Sequence, residues 1–236
     1  MKKNLFIIVI LSILICLTAC ENIFSASLAA WARRSDYGDL SNLSYSDASQ
    51  LLEQALANNN KTLAQSLVPV FKNFVRNTDH AATDYAQKGR QLFEALFLAS
   101  NLTTAYNTLF SSFISGEEMD AETLAEQFQG LIVWNDTYSD AMMLCLDPDL
   151  FNALDTNALA LAAFALALDV GQDLNLNILD PASITEPEDI QRLEDSAQFQ
   201  VVLTIIDLLS GVDPEANPLV GAFSQLFDGI SNLMGP

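Results

Sequence analysis

The stretch Asn157-Ala158-Leu159-Ala160-Leu161-Ala162-Ala163-Phe164-Ala165-Leu166-Ala167-Leu168-Asp169 sets eleven consecutive apolar residues between two polar ones. Ala and Leu dominate it, both strong helix formers, and no β-branched residue interrupts them. A helix that is apolar on every side has to be enclosed by neighbours rather than laid on a surface. Eleven residues rise only ~17 Å along a helix against a hydrocarbon core ~30 Å thick, so the run predicts a buried core helix and not a membrane span.

The flanking sequence supplies the enclosure. Strand signals are nearly absent, and helical periodicity recurs on both sides of the run. Toward the C-terminus, helices are expected from about Glu188 to Ser210 and from Pro218 to Met234. In the last of these, Leu219, Phe223, Leu226, Ile230 and Leu233 fall at alternating steps of four and three, widened by Val220, Phe227 and Met234. Such a stripe requires a partner surface. Leu219, Phe223, Leu226, Phe227, Ile230 and Leu233 therefore form a candidate docking stripe, free for another protein or closed over the preceding helix at Val201, Val202, Ile205, Ile206 and Leu209. Intramolecular closure, capping the end of the array, is the expected outcome. A membrane surface is disfavoured because the helix carries Asp228 and no Lys or Arg.

Toward the N-terminus, Ala48, Leu51, Leu52, Ala55 and Leu56 mark one face of a helix opening near Ser46 and stopping at Asn58-Asn59-Asn60. Its antiparallel partner carries Leu63, Leu67, Val70, Phe71 and Phe74, with a kink expected at Pro69. A longer pattern runs from Asp79 through Tyr85, Leu92, Phe93, Leu96, Phe97, Tyr106, Leu109, Phe110 and Phe113 to Gly116, interrupted near Ser100-Asn101. Asp120 then caps a helix presenting Leu124, Phe128, Leu131 and Ile132, followed by Trp134 and Tyr138. The reading is an all-α fold of stacked antiparallel helical hairpins, forming a solenoid or an irregular bundle. Residues 46–236 make one domain, preceded by a signal segment at 1–19 and an anchor and N-terminal segment at 20–45. Within that segment, Ile23 to Arg34 is expected to pack as a first helix.

Prolines add a spacing argument. Leu146-Asp147-Pro148, Leu179-Asp180-Pro181 and Val212-Asp213-Pro214 share the form apolar-Asp-Pro, with prolines 33 residues apart twice over. Asp caps a helix N-terminus, and Pro at the first helical position loses only a donor that has no partner there. On this spacing the mature chain weakly resembles tetratricopeptide-like helical repeats, whose period is 33 to 34 residues. The resemblance implies stacked helix pairs.

At the extreme N-terminus, Lys2-Lys3 precedes the apolar run Leu5 to Leu17, broken only by Ser12, and Leu17-Thr18-Ala19-Cys20 follows. Thirteen residues are too few for a span, whereas charge, apolar region and small residues have the order of a cleaved signal. Leu17-Thr18-Ala19-Cys20 resembles the lipobox of bacterial lipoproteins. That resemblance implies cleavage before Cys20, acylation of its thiol, and a chain of 217 residues held at the cell envelope. Glu21, where Asp would signal inner-membrane retention, implies the outer membrane.

Composition narrows the partners. Half of the 236 residues are apolar, 30 acids face 10 Lys and Arg, and the formal charge is −20. With a pI of about 4.1 the chain repels a phosphate backbone, so nucleic acid is not an expected partner. The imbalance is local: residues 91–236 hold 23 acids and one base, Arg192. Solubility of an apolar helical protein accounts for it, with attraction of a basic partner as the functional alternative.

No catalytic signature emerges. His80 is the only histidine, and Cys145 is the only cysteine left once Cys16 departs with the signal and Cys20 is acylated. Cys145 reads as a small buried hydrophobe. A structural zinc centre of Cys and His ligands is excluded. Asp173-Leu-Asn175-Leu-Asn177 begins like a calcium loop but has Ile178 where Gly is required and Ile184 in place of the closing Glu, so it reads as a turn. Asp147 and Asp149 read as acids at a helix start. Neither catalytic residues nor cofactors are assigned. The expected function is a non-enzymatic lipoprotein scaffold for another envelope protein or peptide. The alternative is a periplasmic component of a tripartite transporter that holds an apolar small molecule between helix layers, resembling the helical lipoproteins of those systems.

Overall fold

The computed structural model describes residues 40–107 and 132–233. The lipobox, the segment Ile23 to Arg34, and the helix expected after Asp120 with Leu124, Phe128 and Leu131 lie outside those residues. Among the described residues every regular element is helical, and the fold is all-α. The elements are α1 (Tyr45–Ala57), α2 (Lys61–Arg76), α3 (Tyr85–Ala99), a helical stretch at 102–107, α4 (Asp136–Cys145), α5 (Pro148–Phe151), α6 (Thr156–Leu174), a 3-10 turn (Pro181–Ser183), α7 (Pro187–Glu194), α8 (Ala197–Leu209) and α9 (Pro218–Leu233).

Side-chain caps account for most of the helix starts. Ser44, Asn60, Asn135, Asp155 and Ser196 each accept from the backbone N–H three residues on, supplying a partner that the first turn lacks. The start of α9 is capped from another helix: Asn157 Oδ1 of α6 accepts from Leu219 N at 3.1 Å. Asn101, in the left-handed region at φ 72°, ends α3 and redirects the chain, a conformation that Asn tolerates better than most residues.

Two groups of helices share one core. In the first, α1 packs on α2 and α3, and α2 on α3; in the second, α6 packs on α7, α8 and α9. α4 joins them, touching α2, α3 and α8. A Lys72–Asp140 ion pair of 3.1 Å ties α2 to α4 at the surface. The core reaches back to Leu40, ahead of the domain start expected at residue 46. α6 runs nineteen residues, long and apolar enough to cross a membrane, yet every residue from Ala158 to Leu168 is buried inside the protein, as enclosure requires. Arg192, the single base of residues 91–236, closes the C-terminus of this helix by donating to the Leu174 carbonyl at 2.8 Å.

Three expectations need correction. The helix expected over 188–210 is two helices, because the Ser196 hydroxyl starts a new one at Ala197. The pattern expected to be helical from Asp79 begins its helix at Tyr85, since Asp79 Oδ1 accepts from Ala81 N and holds a turn instead. Of the three Asp-Pro sites only Asp147-Pro148 begins an α-helix: Asp180 starts a 3-10 turn without a side-chain cap, and Asp213-Pro214 lies in a turn four residues ahead of α9. The three equally spaced sites therefore do not share one local structure.

Candidate functional site

The C-terminal stripe is covered by the chain itself. Leu219, Phe223, Leu226, Phe227 and Ile230 are buried and Leu233 is partly buried, against α6, α8 and the 3-10 turn. Phe223 stacks on Phe164 of α6, and Gly229 passes so close to Pro181 that an added Cβ would sit 3.1 Å from its Cγ. The stripe thus closes onto α6 as well as onto the expected α8, and is no open docking face.

An apolar concavity among the described residues lies elsewhere, where α3 meets the start of α6. Arg90, Phe93, Glu94 and Phe97 share one face of α3 at steps of three, one and three. The remaining sides of α3 bury Leu92, Ala95, Leu96, Leu98 and Ala99. Leu56 of α1, Thr103 and Tyr106 of the 102–107 stretch, and Ala153, Leu154, Asp155 and Ala158 around the start of α6 complete a cleft of about 400 Å³. Its aromatic wall is ordered: the Phe93 and Phe97 rings stack with centroids 5.4 Å apart, and Phe97 meets Tyr106 edge-on at 6.1 Å.

Polar groups stand at its edge. Arg90 Nε lies 3.5 Å from Glu94 Oε1, one helical turn along. Burial pushes the Glu94 carboxyl above its ordinary range, and the Arg90 charge offsets part of that shift. Tyr106 is likewise raised, first by burial and then by the Asp155 charge. Asp155 is fixed by its capping bond to Ala158 N at 2.7 Å. An apolar floor with a few oriented polar groups at the mouth suits capture of a small molecule, and its volume falls within the range of roughly 300–1,000 Å³ usual for such sites.

The remaining reactive residues stand apart from the cleft. Cys145 is fully buried, donates weakly to the Gly89 carbonyl at 3.7 Å, and has its thiol pushed far up by desolvation, which leaves it a core residue. His80 is exposed in the turn before α3, beside Asp147 and Asp149. Asn175, in the left-handed region at φ 56°, ends α6, as a turn at 173–177 requires. Cys20 lies outside the described residues. Phe93 and Phe97 are core residues, as their helical spacing predicts, and they also form one wall of the cleft; the polar Arg90 and Glu94 on the same helical face are the sequence signal for that second role. Comparison with known proteins finds no family that matches the chain, no similar curated protein and no similar solved structure.

Proposed function

We propose that the chain is a lipid-anchored, non-enzymatic lipoprotein of a bacterial cell envelope that holds one small apolar molecule in the cleft between α3 and α6. The cleft carries this reading: Phe93, Phe97, Tyr106 and Leu154 present an aromatic and aliphatic wall, with Arg90 and Glu94 placed for a polar end. A concavity of about 400 Å³ is the size that takes one such molecule. The C-terminal stripe, closed on α6 and α8, offers no separate site for a protein partner. The sequence Leu17-Thr18-Ala19-Cys20 supports the anchor, through acyl chains on Cys20, at the outer membrane. A carrier of this kind fits delivery to a transporter in the same envelope.

The test is a fluorescence titration with the neutral probe N-phenyl-1-naphthylamine. Wild-type protein is expected to bind one equivalent. Ala153→Trp, which fills the cleft from its rim, is expected to weaken binding by about tenfold or more, a loss of about 1.4 kcal/mol. Equal affinity in the two proteins contradicts the assignment.

A further inference from the structure

His80 meets two carboxylates that lie far from it in sequence. Its Nδ1 is 3.4 Å from Asp147 Oδ2 and 3.6 Å from Asp149 Oδ2, and one donor atom from each of the three residues lies within 4.8 Å of the others. The surrounding structure orients each group. Asp147 divides its oxygens: Oδ1 accepts from Asp149 N at 2.9 Å as the cap of α5, and Oδ2 is the one that faces His80. The imidazole stacks on the buried Tyr85 ring with centroids 4.5 Å apart, and its Nε2 lies 3.4 Å from the Tyr85 hydroxyl.

The two spacings from His80 Nδ1 fall at the upper end of those in a coordination shell. Ligands bonded at ~2.0–2.2 Å in tetrahedral or octahedral geometry sit roughly 3.0–3.6 Å apart. Two carboxylates around one imidazole leave the cluster negative in either protonation state of the ring, and a divalent ion balances that charge. One nitrogen with two carboxylate oxygens suits a borderline ion of the first transition row; Ca²⁺ and Mg²⁺ prefer oxygen throughout. Beside the cluster, Val75, Arg76, Met143 and Thr204 border a pocket of about 290 Å³ that His80 and Asp147 also line, leaving room for water to complete the shell.

We propose that His80, Asp147 and Asp149 bind a divalent transition-metal ion of the Zn²⁺ or Mn²⁺ class, with Tyr85 orienting the imidazole through Nε2. The site shares no residue with the α3–α6 cleft, and it stands or falls separately from the ligand reading. It also differs from a closed Cys and His centre, because carboxylates supply two of its three protein ligands.

The experiment is a calorimetric titration of Zn²⁺ into the lipidated protein in neutral detergent, purified without a histidine tag. Wild-type protein is expected to bind one equivalent and to shift the ring resonances of its only histidine in NMR spectra. His80→Asn and Asp149→Asn, both at exposed positions, are each expected to lose about tenfold or more in affinity with an unchanged melting temperature. Mg²⁺ should neither compete nor move the His80 signals. Failure of wild-type protein to bind Zn²⁺ at millimolar concentration overturns the proposal, as does wild-type affinity in either variant.

Discussion

Phe164 of α6 and Phe223 of α9 lie face to face, with ring centroids 4.3 Å apart and planes inclined by 5°. Both rings are almost wholly shielded from solvent, so the last helix belongs to the core. Phe223→Ala is expected to destabilise the protein by about 3–5 kcal/mol, the cost of removing a buried aromatic ring and leaving a cavity. Denaturant melts of the two proteins give the difference. Deleting residues 218–236 should go further and promote aggregation, because it strips the cover from α6.

Gly89 and Leu150 set a tighter constraint between α3 and α5. A Cβ on Gly89 would fall 2.4 Å from Leu150 Cδ1, and Leu150 is fully buried with little room to turn aside. Gly→Ala inside a helix normally gains roughly 0.5–1 kcal/mol, whereas overpacking costs typically 1–3 kcal/mol. Gly89→Ala is therefore expected to lower stability by about 1 kcal/mol, and Gly89→Ala combined with Leu150→Ala should lose less than the sum of the two single changes. A double-mutant cycle in urea reads that coupling.

How much of this was legible beforehand depends on the range of the forces involved. The enclosed helix at Ala158–Leu168 was readable because its period and boundaries are local, and so was the stop at Asn58-Asn59-Asn60. The break at Asp195-Ser196 was missed because the apolar pattern continues across it, and only the Ser196 hydroxyl marks the new start. The Asp-Pro dipeptide does not fix one local structure, since it caps an α-helix at 147 and bends a turn at 213. The cleft and the His80 cluster depend on contacts such as His80 with Asp147, 67 positions apart, which no periodicity encodes.

Glu94 gives the protein a pH signature. Its folded pKa is raised above the ordinary value of 4.5 by burial, so the native state holds the proton more tightly than the unfolded chain. The stabilisation is fully present below 4.5 and is lost as pH rises through the elevated folded value. Asp169, half-buried beside Gln198 and Asp173, adds to the trend from its own ordinary value of 3.8. Glu94→Gln should thus flatten the decline of stability between mildly acidic and neutral pH, as thermal melts across that window will show. An apolar ligand that covers Glu94 should bind more tightly as pH falls, with a proton taken up on binding.

Cys20 is expected to carry the anchor. Wild-type protein should appear in mass spectra as a chain beginning at Cys20 with its thiol acylated, and Cys20→Ser as an uncleaved, unacylated precursor. Cleavage and acylation in that variant would refute the lipoprotein reading.

The occupied cleft is the central claim, and NMR locates a bound molecule most directly. With N-phenyl-1-naphthylamine added to the full chain, intermolecular nuclear Overhauser effects are expected from the probe to the rings of Phe93, Phe97 and Tyr106 and to the Ala158 methyl group. Contacts confined to other parts of the protein, or none at probe concentrations that saturate its fluorescence, would contradict a ligand site between α3 and α6.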